Sequence, residues 1–152
     1  MRAPFLVLLL LVTPLAGCQS FGTSPALEME ATVTEPLKVS EAKAQFHAGN
    51  YGLAEELFRA SCERDPTDLQ AWLGLAASYD LLRRFDLADR AYAQVDKLGG
   101  RNAVLLNNRG YSYLLRGDFA KARADLGAAQ KLDPGNADIE TNLAAALKGQ
   151  RI

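Results

Sequence analysis

Among the side chains able to do chemistry, the sequence offers one histidine, His47, and two cysteines, Cys18 and Cys62. An imidazole acts as a general base or a zinc ligand only beside an orienting or co-ligating partner. No serine or cysteine stands at a meaningful spacing from His47, so we expect it at the rim of a binding surface, with no catalytic or metal role. Cys62 is followed by Glu63 and Arg64, with no basic cluster evident to lower its pKa. It reads as an ordinary thiol. Nothing assembles a nucleophile, a base and an orienting group, so the chain is expected to be no enzyme and to need no cofactor. The 17 basic and 18 acidic residues form no basic stripe, which argues against nucleic acid as a partner.

The elements that position these residues begin after an N-terminal stretch that has to be set aside. Arg2, an apolar run from Phe5 to Val12 and small residues at Ala16 and Gly17 form an export signal over 1–17. The run is too short to span a bilayer comfortably. Leu15, Ala16, Gly17 and Cys18 resemble the lipobox of bacterial lipoproteins. That resemblance implies cleavage before Cys18, a diacylated thiol and an acylated amino terminus, and several acyl chains give stable membrane anchoring. Gln19 stands where aspartate marks retention in the inner membrane, so the implied location is the outer membrane, facing the periplasm. Cys62 would then be the sole free thiol, which excludes an internal disulfide. Residues 19–34 carry Gly, Ser, Pro and Thr without periodicity and read as a tether with a reach of roughly 20–24 Å.

With 49% hydrophobic and 23% charged residues, the remainder suits one modest globular domain. Windows beginning at Glu35, Leu69, Ala103 and Ala137 align at a spacing of 34 without gaps. Thr34, Asp68, Asn102 and Asn136 precede them, each able to accept a hydrogen bond from the open amides of a first helical turn. Gly49 to Asn50, Arg83 to Arg84 and Gly117 to Asp118 read as turns between paired helices. Ala54, Ala88 and Ala122 allow close helix approach, while Phe58, Tyr92 and Leu126 fill the space toward the next unit. The fourth window ends before a second helix, leaving a cap with Leu143, Ala144 and Leu147 at packing positions. Arg109 replaces the leucine of sibling windows and Asp125 stands opposite it, so an ion pair within about 6 Å is expected. Glu41 is a similar oddity without an evident partner. Cys62 aligns with Asp96 and Gln130, which points to partial exposure.

Trp72, Leu75, Ala76 and Tyr79 resemble the WxxLGxxY signature of the first tetratricopeptide helix, with Ala for Gly. Ala54 with Phe58, Ala88 with Tyr92 and Ala122 with Leu126 resemble the AxxxF signature of the second, and Pro66 and Pro134 end two units. The implied fold is all-α, a solenoid of three hairpins (35–68, 69–102, 103–136) and a C-terminal capping helix (137–149). The family binds protein partners on the concave face, at window positions 2, 5, 9, 12 and 13. Carried over, those positions include Val39, Lys43, Phe46 and His47 in the first unit and Leu73, Ala77, Asp80 and Leu81 in the second. Asn107, Tyr111, Leu114 and Leu115 follow in the third, and Thr141 in the cap. Leu81 and Leu115 could equally pack between first helices. This lining fits a helix or extended segment with apolar anchors. Only Lys43 and Asn107 approach the Lys and Asn pattern that clamps a terminal carboxylate, so chaperone-tail binding is not expected. The stretch from Asn107 to Leu147 is similar to tight-adherence (Flp) pilus assembly lipoproteins of TadD type. That implies an envelope partner such as a secretin or pilus component; an adaptor for peptidoglycan enzymes or outer-membrane protein assembly is the other reading.

Overall fold

The computed structural model describes residues 39–149 and 152. The expected signal, Cys18, the tether, the Thr34 cap and the first four window positions lie outside the described residues. Among the described residues seven helices follow one another: α1 (Val39–His47), α2 (Tyr51–Arg64), α3 (Leu69–Leu81), α4 (Phe85–Gly99), α5 (Ala103–Arg116), α6 (Phe119–Leu132) and α7 (Ala137–Lys148). No strand occurs among the described residues.

Three of the first helices start where a side-chain oxygen takes up otherwise open amides. Asp68 accepts from the backbone N–H groups of Gln70 and Ala71, Asn102 from that of Leu105, and Asn136 from those of Asp138 and Ile139. The hairpin turns need one residue in the left-handed region. Gly49 and Gly117 supply it in the first and third hairpins, but the second uses Arg83 at φ 60°. A side chain there costs about 1–2 kcal/mol. Arg83 is held by its own N–H bonding to the Asp80 carbonyl and by its guanidinium donating to the Leu115 carbonyl, both at 3.0 Å.

Packing follows the register. Ala54, Ala88 and Ala122 are fully buried where paired helices touch, and Phe58, Tyr92 and Leu126 are buried against the following unit. Phe58 lies so close over Gly74 that a Cβ there would come within 2.3 Å of the ring. Within the third hairpin the filling between the paired helices changes from apolar to ionic. Arg109 donates to Asp125 through Nε at 2.6 Å and Nη2 at 3.0 Å, and Arg101 adds a third bond at 3.1 Å. The expected pair is therefore present, bidentate and strengthened by a second arginine. Hydrogen bonding to Asp125 raises the Arg109 pKa and holds it charged. α4 and α5 also pack less extensively on each other than α2 on α3 or α6 on α7.

Two expectations are corrected. Cys62 is buried in the core, not partly exposed, and desolvation pushes its thiol up to about 12. The indole of Trp72 packs against the same core, where the other units have Leu106 and Glu140. Ala144 and Leu147 do not pack: Leu147 is 67% exposed, because no second helix of a fourth unit covers that side among the described residues. The cap is instead secured by Ile139 and Ala146, with Leu143 half-buried against α5 and α6. Glu41 is simply exposed and needs no partner.

Candidate functional site: the front groove

Residues four apart on a helix share one face, so Lys43 with His47, Leu73 with Ala77 and Leu81, and Asn107 with Tyr111 each form a stripe. The first helices lie side by side and line these stripes into one groove. It consists of three successive hollows. The first, about 170 Å³, is bounded by Lys43, Phe46, His47, Leu73 and Ala77. Phe46, Ala77, Leu81 and Tyr111 enclose the second, about 300 Å³. The third, about 320 Å³, lies among Asn107, Tyr111, Thr141 and Asn142. Shared walls at Phe46, Ala77 and Tyr111 make the hollows continuous.

The groove is graded along its length. At the α1 end Phe46 packs edge-on to Tyr51 and His47, with ring centres 5.3 and 6.1 Å apart, and Lys43 donates to Gln70 at 3.0 Å. This end offers aromatic and aliphatic surface beside a cation. At the α7 end the lining is amides and hydroxyls with the carboxylate of Asp138, and Asn142 donates to Asn107 at 3.0 Å. Such groups match the alternating donors and acceptors of an extended backbone. His47 is exposed, and among the described residues no cluster of His, Cys, Asp and Glu could hold a metal ion.

Asp80 needs a different account from the one its window position implied. It is 1% exposed, and its carboxylate accepts from Tyr92 at 2.8 Å and from Ser112. Burial raises its pKa, against the opposing pull of those two hydroxyls and of Arg116. Arg116 in turn forks onto Asp89 and donates to Ser112. Asp80 thus forms part of the floor of the middle hollow and serves chiefly as the acceptor that ties α3 to α4 and α5.

Leu114 is corrected outright. It is fully buried with Leu126 and Ala146 because α7 covers the third first helix, so it meets no ligand. Leu115 is buried as well, whereas Leu81 is half-buried and does line the groove. Val39 packs against the core beside the groove without bounding any of its hollows. Sequence reasoning missed Asn108, which borders all three hollows, together with Gln70, Val104 and Asn142. Asn108 and Asn142 occupy the same window position, sixth, and that repetition was the available signal. The glycine at the same position in the second unit, Gly74, hid it.

Comparison with known proteins agrees with this architecture. Models of the tetratricopeptide repeat match residues 37–78 and 103–136. The chain carries tetratricopeptide repeats. Among solved structures, the Yersinia enterocolitica type III secretion chaperone SycD, in complex with a peptide of the translocator YopD, is 26% identical with a TM-score of 0.62. That match covers 84% of this chain and 98% of the chaperone. The second tetratricopeptide domain of human RPAP3, solved with an HSP70 peptide, is 21% identical with a TM-score of 0.63 over 71% of this chain and 90% of that one. PcrH in complex with the chaperone-binding region of PopD is 22% identical with a TM-score of 0.60, covering 84% and 90%. The latter two likenesses concern the fold alone. No curated protein sequence matches the chain.

Proposed function

We propose that this protein is a membrane-anchored, non-enzymatic binding protein that holds a segment of another envelope protein in its front groove. One observation carries the reading: a continuous groove, apolar and aromatic at the α1 end and amide-rich at the α7 end, which no described part of the chain covers. Apolar side chains of the segment would anchor between Phe46, Leu73 and Ala77. Its backbone would be met by Asn107, Asn108 and Asn142. The likeness to SycD, whose structure holds a translocator peptide, supports a protein segment as the ligand.

The anchor rests on Leu15, Ala16, Gly17 and Cys18, and Gln19 favours the outer membrane. A lipid at Cys18 would confine the groove to the periplasmic face, where pilus or secretion-machine components such as a secretin are assembled. Substitution of Leu73 and Tyr111 by aspartate tests the groove, because both line it and both are half-buried. We expect photo-crosslinked capture of the partner to fall at least tenfold in each variant while helicity is kept; undiminished capture in both would remove the groove from consideration. Labelled palmitate should enter the wild-type chain but not Cys18→Ser, and equal labelling of the two would refute the anchor.

A further inference from the structure

The back of α3 forms a second cleft. At 100° per residue, Trp72, Leu75 and Tyr79 lie opposite the face that Leu73, Ala77 and Leu81 present to the front groove. Those three residues floor a hollow of about 480 Å³, with Cys62 on the α2 side and Leu87 and Ala91 on the α4 side. That volume is within the range of ligand-binding clefts, roughly 300–1,000 Å³.

The repeat register sets this hollow apart by its chemistry. Thirty-four residues on from Leu75 and Ala91 stand Arg109 and Asp125, and Arg109, paired with Asp125, joins Asp89, Asp96 and Lys97 around the equivalent hollow of about 470 Å³, which is polar. Leucine and alanine leave the first hollow apolar. Its floor makes no polar demand. The indole N–H of Trp72 is already spent on the Pro66 carbonyl at 3.0 Å, and Cys62 is a neutral buried thiol. The edge is different. Arg90 is exposed and makes no ion pair among the described residues, and Arg59, bonded to Glu55, stands across from it. With Glu63 as the one acidic residue in the lining, the edge favours an anion.

We propose that this cleft is a second docking site, which takes a leucine or aromatic side chain of a partner segment whose neighbouring carboxylate is received by Arg90. The apolar anchor fills the space over Trp72 and Leu75, and the charge fixes its direction. A protein segment fits better than a fatty acid. The cleft lies open to solvent, with Leu87 37% exposed at its edge, so a long acyl chain would remain partly in water.

Trp72 is the only tryptophan, so its fluorescence reports this cleft alone. The test uses the full chain in lipid nanodiscs, titrated with two short peptides that share a leucine pair but flank it with glutamates or with lysines. We expect a saturable Trp72 response with the glutamate peptide at least tenfold tighter than the lysine peptide. Arg90→Glu should reverse that order and Leu87→Glu should abolish the response, both without loss of helicity because both sites are exposed. A preference unchanged by Arg90→Glu, the absence of a saturable response, or tighter binding of dodecanoate than of either peptide would overturn the proposal.

Discussion

The first two junctions between hairpins share one backbone plan and differ in nearly everything that fills it. Phe46, Phe58, Leu75, Leu82 and Ala91 at the first become Asp80, Tyr92, Arg109, Arg116 and Asp125 at the second, each 34 residues on. The changes are coordinated: Tyr92 gains a hydroxyl where Asp80 can accept it, and Arg109 gains a guanidinium where Asp125 can bind it. The third junction returns to an apolar filling with Leu114, Leu126 and Ala146. A helical repeat therefore constrains shape and spacing, while the chemistry at each interface is free to vary if its partners vary together.

Transplanting residues across that contrast gives the largest expected effect. Asp125→Ala leaves Arg109 mostly buried without its carboxylate and should cost about 3 kcal/mol, the low end for breaking a buried pair, since Arg109 keeps a path to solvent. Arg109→Leu combined with Asp125→Ala installs the residues of the first junction and should recover most of the loss. Urea denaturation followed by circular dichroism checks both, and a double variant no more stable than the single one would show that the junctions are not interchangeable. At the first junction, Gly74→Ala drives a methyl into the Phe58 ring and should cost about 2 kcal/mol, because overpacking outweighs the gain in helix propensity. The same measurement applies.

Smaller effects separate what the junctions share from what they do not. Asn102→Ala and Asn136→Ala remove caps that accept amides in the same way, so each should cost about 1 kcal/mol in thermal unfolding. The last difference is a pH slope. Asp80 has a raised pKa in the fold, so protonated Asp80 favours the folded state, and that contribution is lost as pH rises from the ordinary 3.8 through the raised value. Asp80→Asn should therefore gain on the wild type as pH rises through that window, with the difference flat above it. A difference that instead shrinks with rising pH would mean that the hydroxyls of Tyr92 and Ser112 dominate over burial.

The register, the turns, three of the caps and the Arg109 to Asp125 pair were legible in the sequence because each depends on residues a fixed distance apart within one unit or its copy. Cys62 was misread for the opposite reason. Its siblings Asp96 and Gln130 are half-buried, but Cys62 belongs to the core against which Trp72 packs, a residue whose siblings are smaller or charged. Leu114 was misread because position 12 is covered by the next first helix, as Asp80 is by α5 and Leu114 by α7. The front groove was legible as stripes, whereas Asn108 and the back cleft depend on which side chains fail to fill a space. Periodicity records presence and not vacancy.

The thin contact between α4 and α5 has a further meaning for how the molecule opens. In a linear stack, stability is the sum of unit terms and neighbour couplings, and this junction, held more by the polar bonds of Asp80, Asp89 and Arg116 than by helix packing, is where we expect partial unfolding to begin. Here it divides the chain into an upstream block ending at Gly99 and a downstream block starting at Ala103. Phe46 and Leu73 belong to the first and Tyr111 and Asn142 to the second, so any ligand lying along the whole groove bridges the two blocks. Amide hydrogen exchange should therefore slow most in α4 and α5 on binding, although neither face of α4 lines the groove. Occupancy of the site would then be read out as cooperativity of the stack.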